Sequence, residues 1–215
     1  MTFAFAPTEQ VSLPIVGSEL RFPVHRVYCV GRNYAEHVKE MGGEVGRDPP
    51  FFFAKPADAL VTDNRFPYPS LSTDVHHEVE LVVALGPAAE LFGHALGLDM
   101  TRRDLQAAAK KLGRPWEVAK GFDHSAPIGP IVPGNAALSS GAITLDVNGA
   151  RRQTGDLSEM IWSVPEIIAE LGRLFTLQPG DLIFTGTPAG VGPVARGDRL
   201  HAEIAGVGAL NVDII

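Results

Sequence analysis

The segment DVHHEVELVVALG, residues 74–86, carries two glutamates inside an otherwise apolar run. Apart from Glu80, residues 79–85 are all apolar, as in a strand that is covered on both faces. Because side chains alternate along a strand, Glu78 and Glu80 point to one side, with Cα atoms about 6.5 Å apart. Two carboxylates this close repel each other, and burying either without a partner costs several kcal/mol. The segment therefore predicts a compensating cation.

The ordinary explanation for such a pair is an edge strand whose glutamates are solvated. The polar face, which also includes His76, ends abruptly at Val82 and Ala84, however, whereas a solvated face would continue. We therefore favour the interpretation that Glu78 and Glu80 are oxygen ligands of a hard divalent ion, which needs at least one further ligand.

The composition limits the class of protein. A chain of 215 residues can form one sizeable core or two small ones. Its net charge of −7 and the lack of a Lys/Arg cluster argue against nucleic acid as a partner. The single cysteine, Cys29, allows no internal disulfide, which is consistent with a reducing cytosol. No signal peptide is evident, and no apolar run reaches the roughly 20 residues of a membrane helix. We expect a soluble cytoplasmic protein that binds no membrane.

Glycines and prolines are spread along the whole chain, as in a protein of many short strands. Strands are predicted at RVYCVG, FFFAKP, EVELVVALG, ITLDVNG, DLIFTG, LHAEIAG and LNVDII. Helices are predicted over 34–41, 101–112 and 164–175, the last beginning with a capping box. Strands and helices do not alternate, so the pattern favours an α+β fold with a large, mostly antiparallel β core. We expect one catalytic domain over 21–215, with residues 1–20 packing on it.

The segment GRNYAEHVKEMG combines a helix start with a possible base. Asn33 and Glu36 have the spacing of residues that cap a helix. His37 and Glu40 are three apart and share a face of that helix. A carboxylate beside an imidazole orients the ring and raises its basicity, as the deprotonation of water requires. The alternative is a surface ion pair on an exposed helix.

Asp99, in LGLDMTRRDLQ, has two possible roles. It can cap the helix predicted from residue 101, or it can supply the missing metal ligand, and nothing local decides between them. Arg103 and Gln106 follow at helical spacing, available to an anionic substrate or solvated.

Other segments add groups that suit an anionic ligand. TGTPAGVG lacks the Gly-Lys-Ser/Thr ending of a phosphate loop, but its backbone and threonines can bind a carboxylate. It can also be a plain connection between strands. Lys55 and Lys120 each follow an apolar stretch and would balance the charge of a carboxylate cluster, although such lysines are usually surface residues.

Taken together and in order, these segments resemble the fumarylacetoacetate hydrolase family. The resemblance runs from about Arg26 to the end of the chain, through CVGRNYAEHVKEMG, PFFFAKP, HHEVELVVALG, LDMTRRDLQ, AKGFD, VNG and PGDLIFTGTPAGVGP. The compact form resembles the acylpyruvate hydrolase branch, and in particular its members that cleave fumarylpyruvate. It implies a β-sandwich-like roll with a few short helices, and a homodimer.

The resemblance also implies roles for the candidate residues. It makes Glu78, Glu80 and Asp99 the ligands of Mg²⁺ or Mn²⁺, and His37, Glu40 and Lys120 the catalytic residues. Substrate-binding residues are then expected at five positions: Arg32, Lys55, Arg103, Gln106 and Thr187.

The implied reaction is hydrolysis of a carbon–carbon bond in an acylpyruvate, with fumarylpyruvate giving fumarate and pyruvate. In this scheme His37, oriented by Glu40, deprotonates the water that attacks the acyl carbonyl. The metal and Lys120 then stabilise the departing pyruvate enolate. Oxaloacetate decarboxylation, or isomerisation or decarboxylation of a related 2-oxo acid, is the alternative, since it needs no attacking water. A non-catalytic, metal-stabilised binding scaffold is a second alternative.

Overall fold

The computed structural model describes residues 2–215, which form a six-stranded and a five-stranded β-sheet, three smaller sheets and several short helices. Within that range the strands are β1 Ser12–Pro14, β2 Arg21–Pro23, β3 Val27–Gly31, β4 Phe51–Lys55, β5 Leu60–Val61, β6 Arg65–Phe66, β7 Val75–His77, β8 Val79–Leu85, β9 Leu91–Leu98, β10 Thr101–Arg102, β11 Ala126–Pro127, β12 Val132–Pro133, β13 Ala142–Val147, β14 Ala150–Asp156, β15 Leu182–Phe184, β16 Gly192–Pro193, β17 Arg199–Ile204 and β18 Gly208–Ile214. The α-helices are α1 Ala35–Glu40, α2 Arg103–Leu112, α3 Glu117–Lys120 and α4 Val164–Leu174. Single-turn 3-10 helices lie at Ala57–Ala59, Pro87–Ala89 and Leu157–Glu159.

The six-stranded sheet, in the order β12-β9-β8-β15-β3-β4, is the central layer. Every residue of its strand β8 is buried, as the apolar run predicts. On one face, Leu81 and Val83 pack against the five-stranded sheet β14-β13-β17-β18-β6. On the other face, Val82 and Ala84 pack on a second core that includes Leu13 of β1. Alternate side chains of β8 therefore pack into two different apolar cores.

The predicted α+β class is confirmed. Most neighbouring strands of both large sheets run antiparallel, while β15 pairs with β3 and β18 with β6 in parallel. The α-helices are few and short. No helix in the described part of the chain is both long and apolar enough to cross a membrane.

Of the two predicted helix caps, that of α4 is present and that of α1 is not. The capping box of α4 is present: Ser163 donates to Glu166 from its backbone N–H, at 2.9 Å, and from its hydroxyl, at 2.7 Å. The cap predicted for α1 is wrong, because Tyr34 is the N-cap residue and no side chain caps it. Asn33 instead joins two loops: its amide donates to the carbonyls of Thr185 and Trp162, and its oxygen accepts from the Trp162 N–H.

Strand β9, which pairs with β8 along its whole length, was not predicted. Its sequence, LFGHALGL, contains two glycines that interrupt the strand pattern. A side chain at Gly93 would lie 2.5 Å from the Val132 carbonyl oxygen, and one at Gly97 would lie 2.6 Å from the Phe184 ring. The glycines are required by close contacts of β9 with its neighbours.

Candidate active site

Three buried carboxylates converge where the β8–β9 hairpin pairs at its open end. Val79 pairs with Leu98, so Glu78 and Asp99, one residue beyond them, lie side by side. The Asp99 N–H donates to the Glu78 carbonyl at 2.8 Å. Glu80 points to the same side, and one oxygen from each carboxylate lies within 4.8 Å of the others. Because α2 begins only at Arg103, Asp99 is not its cap.

Lys120, the last residue of α3, joins two of the carboxylates. Its ammonium donates to Glu78 at 2.8 Å, to Asp99 at 2.6 Å and to the Thr101 hydroxyl at 2.6 Å, which uses all three protons. Arg103 adds a hydrogen bond to Glu78 at 2.5 Å. The Thr101 hydroxyl completes the surroundings of this ammonium, a role that no pattern in the sequence predicted.

Lys55 lies behind this cluster. Its ammonium donates to three carbonyl oxygens, those of Met100 at 3.3 Å, Ser125 at 3.0 Å and Lys120. It also lies 2.8 Å from Asp99 Oδ1. The Lys55 ammonium and the Asp99 carboxylate therefore form a buried ion pair. Lys55 therefore faces the interior beside Asp99, and it does not line the cavity described below.

The two glutamates differ in their charge environment. Burial would raise the pKa of the Glu78 carboxyl, but Lys120 and Arg103 beside it hold that pKa well below its usual range. Burial raises the pKa of Glu80 well above its usual range, and repulsion from Asp99 and Glu78 adds to the effect. One backbone N–H, that of Gly186 at 2.7 Å, is its hydrogen-bond donor. The cluster therefore has room for another positive charge beside Glu80.

The donor set fits a divalent cation. It consists of three carboxylates, the hard oxygen ligands that such ions prefer. All three are at least 95% buried, and the hydrogen-bond donor to Glu80 is a single backbone N–H, that of Gly186. A buried carboxylate such as Glu80, next to two others, is costly, and a metal ion bound by the three carboxylates would offset that cost.

The predicted His–Glu pair is present on α1. His37 Nδ1 lies 3.1 Å from Glu40 Oε2, and the other oxygen of Glu40 accepts the Gly190 N–H at 2.9 Å. A carboxylate only accepts, so Nδ1 carries the proton and Nε2 is left with a free lone pair. The backbone contact ties the pair to the Gly-rich TGTPAGVG loop, which follows β15.

Thr187 of this loop is oriented by Gln153, a residue that was not predicted from the sequence. The Gln153 oxygen accepts the Val79 N–H at 3.1 Å and lies 2.9 Å from His77 Nδ1. Its NH₂ group must then be the donor to the Pro188 carbonyl at 2.9 Å and to Thr187 Oγ1 at 2.7 Å. Because the Thr187 oxygen accepts here, its own proton remains free for another acceptor. Gln153 is the one fully buried residue of β14, and no local pattern in the sequence marks it.

One cavity brings most of these groups together. The cavity is lined by Val30, Gly31, Arg32, His37, Met41, Phe51, Phe53, Glu78, Glu80, Asp99, Arg103, Gln106, Lys110, Trp116, Lys120, Gly186 and Thr187. The lining thus includes the three carboxylates, the imidazole of the His–Glu pair and four of the five predicted substrate-binding residues. Gln106 accepts a hydrogen bond from Arg103 at 2.7 Å, which holds both side chains on the cavity wall.

Comparison with known proteins places the chain in a family. A family model described as fumarylacetoacetate (FAA) hydrolase C-terminal matches residues 26–215. The chain belongs to the fumarylacetoacetate hydrolase family. Its resemblance to that family, inferred from motifs, is therefore confirmed, and the chain is an enzyme of a family whose members include hydrolases, tautomerases and decarboxylases.

Individual members of the fumarylacetoacetate hydrolase family carry different activities. The crystal structure of fumarylpyruvate hydrolase from Pseudomonas aeruginosa, in complex with Mn²⁺ and pyruvate, is similar with a TM-score of 0.96 and 49% identity, covering 100% of this chain and 99% of that one. The oxaloacetate tautomerase YcgM of Escherichia coli (strain K12) is 42% identical over 207 residues, 88% of this chain and 93% of its own. The mitochondrial oxaloacetate tautomerase FAHD1 of Mus musculus is 44% identical over 194 residues, 84% and 87% of the two chains.

Proposed function

We propose that the protein hydrolyses acylpyruvates, with fumarylpyruvate as substrate and fumarate and pyruvate as products. The observation that carries this proposal is the position of His37, which lines the same cavity as the carboxylate cluster and whose Nδ1 is held by Glu40. The similarity over the full chain to a fumarylpyruvate hydrolase supports the choice of acyl group.

Glu78, Glu80 and Asp99 would hold a divalent ion, Mg²⁺ or Mn²⁺. When bound, the ion supplies positive charge that polarises oxygen atoms of the 2-oxo acid and stabilises an enolate. The proposal for these residues rests on their hard oxygen donors and their burial.

His37 acts as the general base toward water. Its Nε2 takes a proton from a water molecule, whose oxygen attacks the acyl carbonyl carbon. Glu40 fixes the ring through Nδ1 and stabilises the imidazolium that results. The bond between the acyl carbon and the methylene carbon of the pyruvate unit then breaks, and its electron pair leaves with the pyruvate enolate.

Thr187 and Lys120 act at the pyruvate end. The free proton of the Thr187 hydroxyl suits a substrate carboxylate, and Arg103 with Gln106 lines the adjoining wall. Lys120 stabilises the developing enolate charge. Its ammonium is fully occupied in this structure, so one of its three hydrogen bonds has to be exchanged before it contacts substrate.

The second candidate is tautomerisation or decarboxylation of oxaloacetate. It is favoured by the two oxaloacetate tautomerases at 42% and 44% identity. This chemistry needs the same binding of a 2-oxo acid and the same enolate stabilisation but no attacking water. The His–Glu pair favours hydrolysis, because His37 lines the same cavity as the carboxylates and can activate a water molecule there.

A side-by-side assay tests the proposal. The purified protein, supplied with Mn²⁺ or Mg²⁺, is tested on fumarylpyruvate, acetylpyruvate and oxaloacetate. We expect kcat/KM to be greatest for fumarylpyruvate. A protein that turns over oxaloacetate and neither acylpyruvate would support the second candidate instead. Inactivity toward all three substrates with both metals would favour a non-catalytic scaffold.

A homodimer, a cytoplasmic location and a role in aromatic catabolism are proposed from the family resemblance. The mass in solution, measured by light scattering at micromolar concentration, tests the dimer, and a monomeric mass would contradict it.

A further inference from the structure

Two cations at the mouth of the active-site cavity have no counter-charge. Arg32 and Lys110 both line the cavity and are exposed there. Neither side chain forms a hydrogen bond or an ion pair with any of the residues 2–215, whereas Arg103 on the same wall is paired with Glu78. Unpaired positive groups that converge on a concave site attract an anion.

Lys110 lies on the same face of α2 as the predicted substrate-binding residues. Arg103, Gln106 and Lys110 are spaced by three and four residues, so their side chains form one row along the helix. Lys110 is two turns farther along than Arg103, a displacement of about 10 Å along the axis. The row thus begins at the carboxylate cluster, where Arg103 contacts Glu78, and ends at an unpaired ammonium.

An aromatic wall holds the ammonium toward the cavity. Lys110 Nζ lies 5.2 Å from the centre of the Trp116 ring, which packs edge-on against Phe51 with the ring centres 5.3 Å apart. Partial burial of its side chain, together with repulsion by Arg103 and Arg32, lowers the pKa of Lys110. Arg32, Arg103 and Lys110 all line the same cavity.

Arg32 lines this cavity from the turn between β3 and α1, which has an unusual backbone conformation. Its φ is 59°, in the left-handed region that few residues other than glycine adopt. Next to it, Gly31 leaves room for the ring of Phe51, which would overlap any side chain at that position. The strained turn between β3 and α1 therefore places the guanidinium at the mouth of the cavity.

We infer that Lys110 and Arg32 form a second anion subsite, which binds a carboxylate at the far end of the acyl group and selects acylpyruvates that carry one. The inference rests on the proposed function, since it assigns the orientation of the substrate in that same cavity. The pyruvate end lies at the carboxylate cluster and Thr187, and the distal carboxylate lies at the two cations.

The length of such a substrate agrees with this placement. Fumarylpyruvate has six carbon–carbon bonds between its two carboxylate carbons, about as many as in two residues of extended chain, or roughly 7 Å. A flexible lysine side chain spans the remaining few ångströms of the displacement along α2. An acylpyruvate that ends in a methyl group would leave the two cations unpaired.

The test compares two substrates in one set of variants. The ratio of kcat/KM for fumarylpyruvate to that for acetylpyruvate is measured with the Mn²⁺-loaded enzyme. Lys110→Gln should lower this ratio about tenfold, because a hydrogen bond to a charged group is lost at a partly exposed position. Arg32→Gln should lower it similarly, while Lys110→Arg, which keeps the charge, should largely retain it. Lys111→Gln is the matched control, because Lys111 is the adjacent lysine of α2 and does not line the cavity.

The outcomes separate this inference from the proposed function. Equal losses for both substrates in Lys110→Gln, or the same loss of the ratio in Lys111→Gln, would overturn the subsite. If the unmodified enzyme cleaves neither acylpyruvate, the proposed function fails. Binding of fumarylpyruvate and of acetylpyruvate is then measured by calorimetry, and the ratio of their Kd values replaces the ratio of kcat/KM. If Lys110→Gln leaves that Kd ratio unchanged, the subsite is again overturned.

Discussion

Substituting Gln153 by Glu should impair substrate binding through Thr187 without any contact between residue 153 and the cavity. In the native protein the Gln153 NH₂ group donates to Thr187 Oγ1, so the hydroxyl proton of Thr187 is free for the substrate carboxylate. A glutamate carboxylate can only accept at that position. The Thr187 hydroxyl would then turn its proton toward residue 153 and away from the substrate.

The expected changes in KM and in folding free energy follow from the hydrogen bonds that the substitution removes. Losing a hydrogen bond to a charged group costs about 1.5–3 kcal/mol, which corresponds to a rise of roughly 10–150-fold in KM for fumarylpyruvate. The substitution also leaves the buried Pro188 carbonyl without its donor, while the Val79 N–H keeps its acceptor. The orphaned carbonyl, together with the carboxylate introduced at a fully buried position, should lower the folding free energy by on the order of several kcal/mol, so the variant has to be shown to fold.

The assay is a double-mutant cycle with Thr187→Val. Steady-state kinetics give KM for wild type, both single variants and the double variant, and thermal unfolding shows that each is folded. If Gln153 acts through the threonine hydroxyl, Gln153→Glu should raise KM strongly in the wild-type background and little in the Thr187→Val background. Two effects that simply add would refute the reasoning, because they would mean that the residues act independently.

Two further predictions concern the metal cluster and the stability of the fold. Glu80→Gln should hardly change the melting temperature of the metal-free protein, because an amide oxygen can still accept the Gly186 N–H. Calorimetry should show that the same substitution weakens Mn²⁺ binding by roughly 100-fold, the equivalent of about 3 kcal/mol. Hydrogen bonds from Ser163, with Arg47 beside it, lower the pKa of Glu166 to about 2, so its stabilisation is fully present above the unfolded pKa near 4.5 and is lost as the pH falls toward 2. The melting temperatures of wild type and Glu166→Ala should therefore differ at pH 7 and converge below pH 4.5, and a constant difference would contradict this.

The carboxylate cluster could be predicted because it depends on simple periodicity. Two glutamates spaced by two in a buried strand must share a side, and that was sufficient to expect a cation. The choice for Asp99 between helix cap and ligand depended on the pairing of β8 with β9, which sets it beside Glu78. That strand was missed because glycines at 93 and 97, required by close contacts, interrupt its pattern.

The supporting groups could not be predicted because their partners are remote in sequence. Gln153 contacts Thr187 across 34 residues and His77 across 76, and no local pattern distinguishes it from an ordinary strand residue. Asn33 has the local spacing of a helix cap, but tertiary contacts with Trp162 and Thr185 take its hydrogen bonds. Predictions from local sequence patterns failed where a polar side chain forms its hydrogen bonds with remote parts of the site and not within its own helix or strand.

The most direct test of the account is the activity of His37→Ala on two substrates at saturating Mn²⁺. If His37 activates water, kcat/KM for fumarylpyruvate should fall by about 10²–10⁴-fold, while decarboxylation of oxaloacetate, which needs no attacking water, should fall much less. Glu40→Gln should show the same pattern more weakly, and Glu36→Gln, an exposed position of the same helix, is the matched control. Fumarylpyruvate cleavage near the wild-type rate in His37→Ala would contradict the proposed role of the His37–Glu40 pair.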